Sequence, residues 1–410
     1  MWRRSSADRQ RRSEGGATCF SVVDPGHTTL RVLIVEVADG QATVWGWHER
    51  AGATDAQHLA DIFEETLRQA EEMARDRSGR WLMPDQMLVG LPASALRGGA
   101  WPVTQRRSRP ERPVDERELE ALLSRALRLS VNHLLGQIEA AGSGGDLVWL
   151  LVDAAPVALS VDERGVTDPL GFRGRELGAT VFAALARADT ITTWRTVAQG
   201  LEFSALTLAA APLAVAAGVS QPQALLVDVG GVTTDLTWCQ VGCPVALASL
   251  PQGGADLTRA LLRKWRITPD RAERLKRAYA GGRLKAEACE QVLEVLAPLL
   301  QTWLEETEAA LAGLNQDRPL PSQLYVLGGG GIVPAVQETL RALAWSRRLH
   351  FVRYPEVGRL GPTDVPGVVN RTEFGREAGD VSALALAAWA AQQSQVPGRP
   401  DQILAALSQG

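Results

Sequence analysis

The chain has little lysine and little cysteine, and both shortages narrow its chemistry. Among 43 basic residues the lysines are Lys264, Lys276 and Lys285, so a lysine inside a motif is informative. The four cysteines are scattered, and the Cys239 and Cys243 pair has no second Cys or His pair to complete a metal site. We therefore expect buried thiols in a reducing compartment.

Long apolar runs and a strong net charge are also missing. The most apolar stretch, residues 203–219, contains Pro212 and is short for a membrane span. No apolar segment follows the Arg-rich first residues, so no secretory signal is predicted. The net charge is −4, which gives no reason to expect a nucleic-acid partner. These absences predict a cytoplasmic protein.

The chain also lacks the motifs of two common nucleotide folds. It contains no Gly-x4-Gly-Lys-Ser/Thr loop and no Gly-x-Gly-x-x-Gly after a strand. At 410 residues it is too long for one compact core, so two or more lobes are expected.

Three glycine-bearing segments are present instead, at residues 24–31 (DPGHTTLR), 228–235 (DVGGVTTD) and 328–337 (GGGGIVPAVQ). Each follows an aliphatic run, and a second apolar strand follows each of the first two. A hairpin with an Asp-x-Gly turn presents backbone N–H groups and a carboxylate at its loop. Two such hairpins that face each other would hold a nucleotide from both sides.

The residue types at these loops suit a phosphate and its metal ion. Glycine leaves backbone N–H groups unobstructed. Asp24 and Asp228 are the candidate Mg²⁺ residues, through water molecules, because Mg²⁺ gives up its water reluctantly. Thr233 and Thr234 offer hydroxyls to phosphate oxygens. Gly328, Gly329, Gly330 and Gly331 would let the backbone close on the adenosine.

The order of these loops resembles that of the actin-like ATPase superfamily, which has two phosphate loops and then an adenosine loop. The resemblance implies an α/β, two-lobed actin-like ATPase fold (duplicated ribonuclease-H-like) and the cofactors ATP and Mg²⁺. The segment Glu273-x-x-Lys276-Arg277 is similar to one that heat-shock chaperones of this superfamily use around adenine and ribose; a helix-surface salt bridge is the alternative. The implied cofactor-binding set is Asp24, Gly26, His27, Thr28, Arg31, Gly230, Gly231, Thr233, Thr234, Gly253, Gly254, Glu273, Lys276, Arg277 and Gly328, Gly329, Gly330 and Gly331.

Within the superfamily the chain most resembles the bacterial cell-division FtsA family, over most of residues 18–393. The resemblance lies in residues 88–98 (LVGLPASALRG), in the series from 161 to 177, and in 251–258 with 272–282. The pilus-assembly PilM family shares this architecture. Arg31 matches a basic position of PilM and actin.

Four positions depart from the family pattern. Ala211 stands where many members carry the Glu or Gln that orients attacking water, so slow or negligible hydrolysis is expected. Val232 replaces a glycine of the second phosphate loop, and a β-branched residue disfavours positive φ. Pro25 and His27 replace small residues of the first loop.

Composition shifts and capping signals divide the chain. Asp115 and Glu118 form a capping-box pattern ahead of a helix. The predicted organisation is a disordered basic tail (1–16), a first lobe (17–85 and 164–218), an inserted FtsA-type α+β subdomain (86–163), a second lobe (219–393) and a C-terminal tail (394–410).

The resemblance leaves three functions open. The first is an FtsA-like scaffold in cell division that binds an FtsZ-like filament protein and self-associates into filaments. The second is a PilM-like adaptor that binds a peptide of a pilus membrane protein. The third is a small-molecule kinase, but neither Asp153 nor Asp189 lies in a pattern typical of its general base.

The C-terminal tail bears on this choice. It has Ile403, Leu404 and Leu407 at helical spacing but no basic residue after Arg399, which disfavours a membrane-binding helix. A frayed terminus and an indirect or weak membrane contact, through partners at the inner face of the cell membrane, are therefore expected.

Overall fold

A computed structural model describes residues 17–51, 58–142, 147–314, 318–342, 345–393, 402–404 and 407. The predicted tail at 1–16 and residues 394–401 lie outside this part of the chain. The strands are β1 Thr18–Pro25, β2 Thr29–Ala38, β3 Gln41–Ala51, β4 Gln86–Leu91, β5 Leu96–Arg106, β6 Trp149–Val161, β7 Arg164–Val166, β8 Glu176–Arg187, β9 Ala205–Ala210, β10 Gln223–Val229, β11 Thr234–Gln240, β12 Cys243–Leu250, β13 Gln323–Leu327, β14 Glu356–Arg359 and β15 Val368–Asn370. The helices are α1 Leu59–Ser78, α2 Glu116–Ala140, α3 Ala188–Gly200, α4 Ala211–Ala217, α5 Gly254–Trp265, α6 Pro269–Ala280, α7 Ala286–Leu314, α8 Pro334–Arg341 and α9 Val381–Gln393.

The first sheet has the strand order β15-β3-β2-β1-β4-β9. Its centre is the predicted first hairpin, in which β1 and β2 are antiparallel and Asp24 pairs with Arg31. Alternate residues of a strand face opposite sides of the sheet. Accordingly Val23 and Val32 pack with α1 and α3, whereas Val22 and Leu33 pack with α4 and α9.

The second sheet has nine strands in the order β14-β13-β10-β11-β12-β5-β8-β6-β7. The predicted second hairpin is β10 and β11, in which Asp228 pairs with Asp235. Strands β5 and β6 of the predicted insert, together with β7 and β8, join the second-lobe strands where Ala246 of β12 pairs with Gly99 of β5. One continuous sheet therefore connects the insert with the second lobe.

Helices α4 and α9 form the layer between the two sheets. Their side chains share one apolar cluster with Leu33 of the first sheet and Leu226 of the second. The opposite face of the second-lobe strands packs on α5, α7 and α8, through residues such as Val227 and Leu296. The hairpin loops of both sheets consequently end on either side of one cleft.

The sheet pairing places two boundaries differently from the sequence prediction. Strand β4 pairs with β1 and β9 of the first sheet, and β8 pairs with β5 and β6 of the insert. Strand β4, inside the predicted insert, therefore lies in the first sheet, and β7 and β8, inside the predicted first lobe, lie in the second sheet. Strand β15 and helix α9, predicted in the second lobe, pack on the first sheet. Long-range pairing of this kind leaves no local signal.

The predicted cap of α2 is confirmed: the Asp115 side chain accepts a hydrogen bond from the Glu118 backbone N–H at the start of this helix. Arg107 is buried in an ion pair with Glu118. The prediction of a frayed C-terminus is wrong for residues 402–404. These residues are helical, and Leu404 is 1% exposed.

A search for membrane-crossing helices over the described residues gives a negative result: none combines the required length with the required apolar character.

Candidate functional site

The loops of both hairpins line a cleft of about 590 Å³ between the two lobes. Most of the predicted site residues meet there, although they are spread over more than three hundred positions of the sequence. The predicted residues that line it are Asp24, Gly26, His27, Thr28, Arg31, Asp228, Gly230, Gly231, Thr233, Gly254, Glu273, Lys276, Arg277, Gly328, Gly329 and Gly330. Thr234, Gly253 and Gly331 are not among the residues that line it.

The first loop carries its own positive charge. A guanidinium nitrogen of Arg31 lies 3.4 Å from the Asp24 carboxylate, and its Nε lies 3.2 Å from Glu49 and 3.7 Å from Asp380. Burial raises the pKa of Asp24, and Arg31 works against that rise. The buried Nε of Arg31 has ion-pair neighbours but no hydrogen-bond partner among the described residues. Arg31 itself lines the cleft, with its Nε between the Glu49 and Asp380 carboxylates.

The second loop has two carboxylates instead. Burial and the neighbouring charges of Asp235 and Asp24 raise the pKa of Asp228 to about 7. Asp235 accepts hydrogen bonds from the Ser249 hydroxyl at 2.6 Å and the Ser94 backbone N–H at 3.1 Å. Burial raises the pKa of Asp235 as well. A cation in the cleft would relieve the repulsion between these acids.

These carboxylates suit Mg²⁺, although they do not form a complete site by themselves. Among the described residues no group of three or more Asp, Glu, His or Cys side chains has the spacing to hold a metal ion directly. Mg²⁺ usually keeps several waters and takes only one or two carboxylates together with the phosphates of its substrate. The residues present therefore fit an ion that arrives with a nucleotide, near Asp228 and Asp24.

Thr234 supports the second loop from behind. It is fully buried, donates a hydrogen bond to the Gln252 carbonyl at 2.8 Å and accepts one from the Trp303 indole N–H at 2.9 Å. Along a strand, neighbouring side chains point to opposite faces, so Thr233 and Asp235 line the cleft and Thr234 points away from it. This alternation of residues 233–235 was already visible in the sequence and indicated that Thr234 faces away from the cleft.

The glycine turn before α5 also holds this loop. The backbone N–H groups of Gly254 and Ala255 donate to the carbonyls of Gly230 and Gly231, both at 2.8 Å. A Cβ at Gly253 would lie 2.8 Å from both carbonyl oxygens, so only glycine allows this approach. The turn thus fixes the second phosphate loop, and its amides are committed to that loop.

The third glycine segment closes the same side of the cleft. Gly328 has a φ of +82°, which favours glycine. Its N–H donates to the Ala378 carbonyl at 3.1 Å, and the N–H of Gly330 donates to the Val229 carbonyl at 2.7 Å. The segment therefore connects the second loop to the turn that leads into α9.

Lys276 joins α6 to α5 at the edge of the cleft. Its ammonium contacts the Gly254 carbonyl at 3.0 Å, the Thr258 hydroxyl at 2.9 Å and the Glu273 carboxylate at 2.8 Å. Burial works to raise the pKa of Glu273, but hydrogen bonds from Lys276 and Thr258 outweigh it and lower that pKa. Arg277 adds a weaker contact to Glu273 at 3.2 Å. This network is more than a surface salt bridge, because it connects two helices and lines the cleft.

The connecting helix α4 presents only apolar groups to the cleft, namely Ala211, Pro212 and Val215. None of these can accept a proton from water. Behind the helix, the Asp153 carboxylate accepts a hydrogen bond from the Ala210 backbone N–H at 2.9 Å. Burial raises the pKa of Asp153 to about 7. Asp153 thus ties the insert to the start of α4.

The second loop tolerates its valine. Val232 is not among the non-glycine residues with positive φ in the described chain. The expected strain at this position is therefore absent, and the loop closes with the Gly230 N–H donating to the Thr233 carbonyl at 2.9 Å.

The residues of the cleft that the sequence analysis did not predict include Asp235, Thr258 and Ser382. Asp235 ends the same motif as Asp228, so its position was a usable signal. Ser382, which hydrogen-bonds Asp228, lies more than 150 residues away from it, and nothing local marks it.

No protein-family model and no curated protein matches the chain. Solved structures do. The PilM-PilN type IV pilus biogenesis complex has 18% identity, covers 92% of this chain and 98% of the other, and has a TM-score of 0.59. The ethanolamine utilization protein EutJ of Carboxydothermus hydrogenoformans has 14% identity, coverage of 91% and 90%, and a TM-score of 0.47. MreB 5 of Spiroplasma citri bound to AMPPNP has 12% identity, coverage of 83% and 91%, and a TM-score of 0.42.

The likeness to the PilM-containing structure confirms the predicted fold class. The chain is a two-lobed α/β protein with the actin-like fold.

Proposed function

We propose that this protein is an ATP-binding adaptor of the actin-like superfamily, with weak or no hydrolysis. The observation that carries the proposal is the cleft itself, where two Asp-Gly hairpin loops face each other and a glycine run closes one side. Backbone amides and Arg31 would hold the phosphates, and Asp24 and Asp228 would hold Mg²⁺ through water. Bound Mg²⁺ would neutralise phosphate charge.

The absence of a proton acceptor on α4 supports binding without rapid turnover. Hydrolysis needs a side chain that orients the attacking water, and the cleft side of α4 consists of Ala211, Pro212 and Val215. A nucleotide would then act as a structural ligand that holds the two lobes together.

For the partner, we favour a cytoplasmic peptide of a pilus membrane protein. The support is the likeness over 92% of this chain to the PilM-PilN type IV pilus biogenesis complex. An FtsA-like division scaffold, with an FtsZ-like filament protein as its partner and self-association into filaments, is the second candidate. Its support is the sequence of the insert and of residues 251–282.

The kinase alternative loses its candidate bases. The Asp153 carboxylate is bound to the Ala210 N–H behind α4. Asp189 is exposed and paired with Arg187. Neither residue lines the cleft, so neither can take a proton from an acceptor hydroxyl there.

The experiment that tests the adaptor is an affinity capture of the tagged full chain from its own cells in Mg-ATP, with mass spectrometry. The matched control is the Asp228→Asn variant. Enrichment of pilus membrane proteins by the wild type supports the first partner, and recovery of a tubulin-like filament protein supports the second. Recovery of neither, from a chain that binds ATP, would contradict the adaptor role.

A further inference from the structure

Helices α5 and α6, with the loop after them, carry most of the positive charge of the second lobe. Residues 254–285 contain ten basic and three acidic side chains, a net charge of +7 in a chain whose total is −4. The remainder of the chain therefore has a net charge of −11. All three lysines lie in this segment as well. Such an asymmetry gives the molecule one positive side.

Five of these basic residues lie where α5 ends and α6 begins, and we call them the basic corner. They are Arg263, Lys264, Arg266, Arg271 and Arg274. All five are exposed. Within the part of the chain that the structure describes, none of them has an ion-pair partner, whereas the basic residues of α5 and α6 nearer the cleft are paired. The corner is therefore a set of free cations.

The acids of the same segment do little to neutralise the corner. Asp256 pairs with Arg259, and Glu273 pairs with Lys276 at 2.8 Å. These pairs belong to the side of the two helices that faces the cleft. The third acid, Asp270, is exposed in the first turn of α6 and is the one carboxylate of this segment left beside the corner.

The apolar side chains of the two helices are used inside the lobe. Helix α5 buries Leu257 and Leu261, and α6 buries Ala272 and Tyr279, all in one apolar cluster. No large hydrophobic residue of 254–285, a segment that the structure describes in full, is exposed. An amphipathic peptide helix would therefore find no apolar side chains to pack on here. The corner offers charge alone, on a rigid support.

Helix stability does not account for this charge. Cations are unfavourable in the first turn of a helix, yet Arg271 lies in the first turn of α6. Arg266 ends α5 with a φ of +50°, a position where glycine is usual. Arginine thus stands at two places where another residue would suit the local backbone better. This indicates that the charge serves an interaction.

We propose that the basic corner binds the anionic surface of a lipid bilayer. Such a surface is continuous and negative, so it requires no pocket, groove or register in its partner, and each Arg or Lys beside it adds to the binding. The same surface repels the negative remainder of the chain, which orients the molecule with the corner toward the lipid. The proposal does not depend on the nucleotide, since none of the five residues lines the cleft.

The test is cosedimentation of the full chain with vesicles, without nucleotide. The vesicles are phosphatidylcholine with about one-third phosphatidylglycerol, and pure phosphatidylcholine is the comparison. The variant is Arg271→Glu with Arg274→Glu. The matched control is Arg125→Glu with Arg128→Glu, two exposed arginines at the same spacing on α2. Both variants change the net charge of the chain equally.

The wild type should bind the anionic vesicles at low salt, leave the neutral ones unbound, and be released by about 0.5 M salt. Arg271→Glu with Arg274→Glu should bind at least about tenfold more weakly, because it changes the charge of the corner by four units. The control should lose less than about threefold. Arg271→Lys with Arg274→Lys should bind like the wild type, since it keeps the charge.

Several results would overturn the proposal. The first is a wild type that does not bind anionic vesicles at low salt. Equal losses in the α6 variant and the α2 control would show an effect of net charge alone, and a loss in the lysine variant would indicate a partner specific for arginine. Tighter binding of a DNA duplex than of vesicles, at equal phosphate concentration, would assign the corner to nucleic acid. If the α6 variant does not fold, Arg263→Glu with Lys264→Glu is measured against the same control.

Discussion

The two hairpin loops that line the cleft have the same geometry and a different charge pattern. In the first, the residue across from Asp24 is Arg31, and in the second, the residue across from Asp228 is Asp235. One cross-strand pair is thus an ion pair and the other is a pair of acids. Like charges directly opposite are destabilising; burial raises the pKa of Asp228 most, and the charge of Asp235 adds to the rise.

This difference assigns a separate task to each loop. The first loop, in which the Arg31 guanidinium lines the cleft, would suit an anion. The second loop, with Asp228 and Asp235 on one side of the cleft, is suited to a cation. The proposed nucleotide with its metal ion would bring both charges at once.

The largest expected effect comes from removing the charge of the second loop. Asp228→Asn should weaken Mg-ATP binding by about 100-fold, comparable to the loss of a metal-orienting group. Binding of ATP without Mg²⁺ should not weaken, because the variant repels phosphate less. Calorimetric titration with and without Mg²⁺ measures both, and Asp39→Asn, at an exposed turn position with φ of +51°, is the control. If Mg²⁺ strengthens ATP binding by Asp228→Asn as much as by the wild type, the assignment of the cation to the second loop is contradicted.

The next effect comes from the first loop. Arg31→Met should weaken ATP binding by about 30-fold with or without Mg²⁺, because a charged hydrogen bond to phosphate is lost. It should also destabilise the fold by about 2 kcal/mol, since Asp24 and Asp380 lose their cation. Arg80→Met is the control, because Arg80 is half exposed and paired with Glu36 alone among the described contacts. A loss confined to Mg-ATP would contradict the separation of tasks.

A third change adds a side chain that could orient the attacking water, which the cleft side of α4 lacks. Ala211→Glu places a carboxylate on the cleft side of α4 and should raise the rate of phosphate release by about tenfold, a fraction of what a well-placed base contributes. Ala217→Glu, at an exposed position near the end of the same helix, is the control. If Ala211→Glu binds ATP and its phosphate release is unchanged, the missing side chain is not what limits hydrolysis.

The smallest effect concerns Asp153. Its pKa is raised to about 7, as that of Asp228 is, but burial alone raises it and no neighbouring charge contributes. An exposed Asp has a pKa of about 3.9. As the pH rises, Asp153 therefore loses its proton in the unfolded chain before it does so in the folded protein. The folded state loses stability as the pH rises from about 4 to 7. Asp153→Asn removes that loss and keeps an oxygen for the Ala210 N–H.

At pH 8 Asp153→Asn should therefore be more stable than the wild type by about 1 kcal/mol. The gap should shrink toward pH 5, and Mg-ATP affinity should be unchanged. Thermal unfolding from pH 5 to 8 measures the gap. A gap that does not change with pH would show that the Asp153 carboxylate is not the titrating group.

The loops were accessible from the sequence because they are local, and the fold class followed from the resemblance that their order carries. A strand, an Asp-x-Gly turn and a second strand form a hairpin whatever the rest of the chain does, and both hairpins are confirmed. Helix α2 was likewise marked by its Asp115 cap. The direction of single side chains was harder. Thr234 was predicted at the phosphates, yet it points away from the cleft to Trp303.

Long-range features left no such signal. Nothing near Ser382 in the sequence indicates that it contacts Asp228, since α9 returns to the cleft from the far end of the chain. The limits of the insert depend on which strands pair, and the pairing of β8 with β5 is set by packing. The burial of Leu404 is of the same kind, because its partners lie in the insert.

The most direct test of the central claim is a calorimetric titration of ATP into the full wild-type chain, with and without Mg²⁺. The account predicts one ATP bound per chain, with an affinity that Mg²⁺ strengthens by about tenfold or more. Absence of binding at millimolar ATP, with Mg²⁺ present and the protein folded, would contradict it.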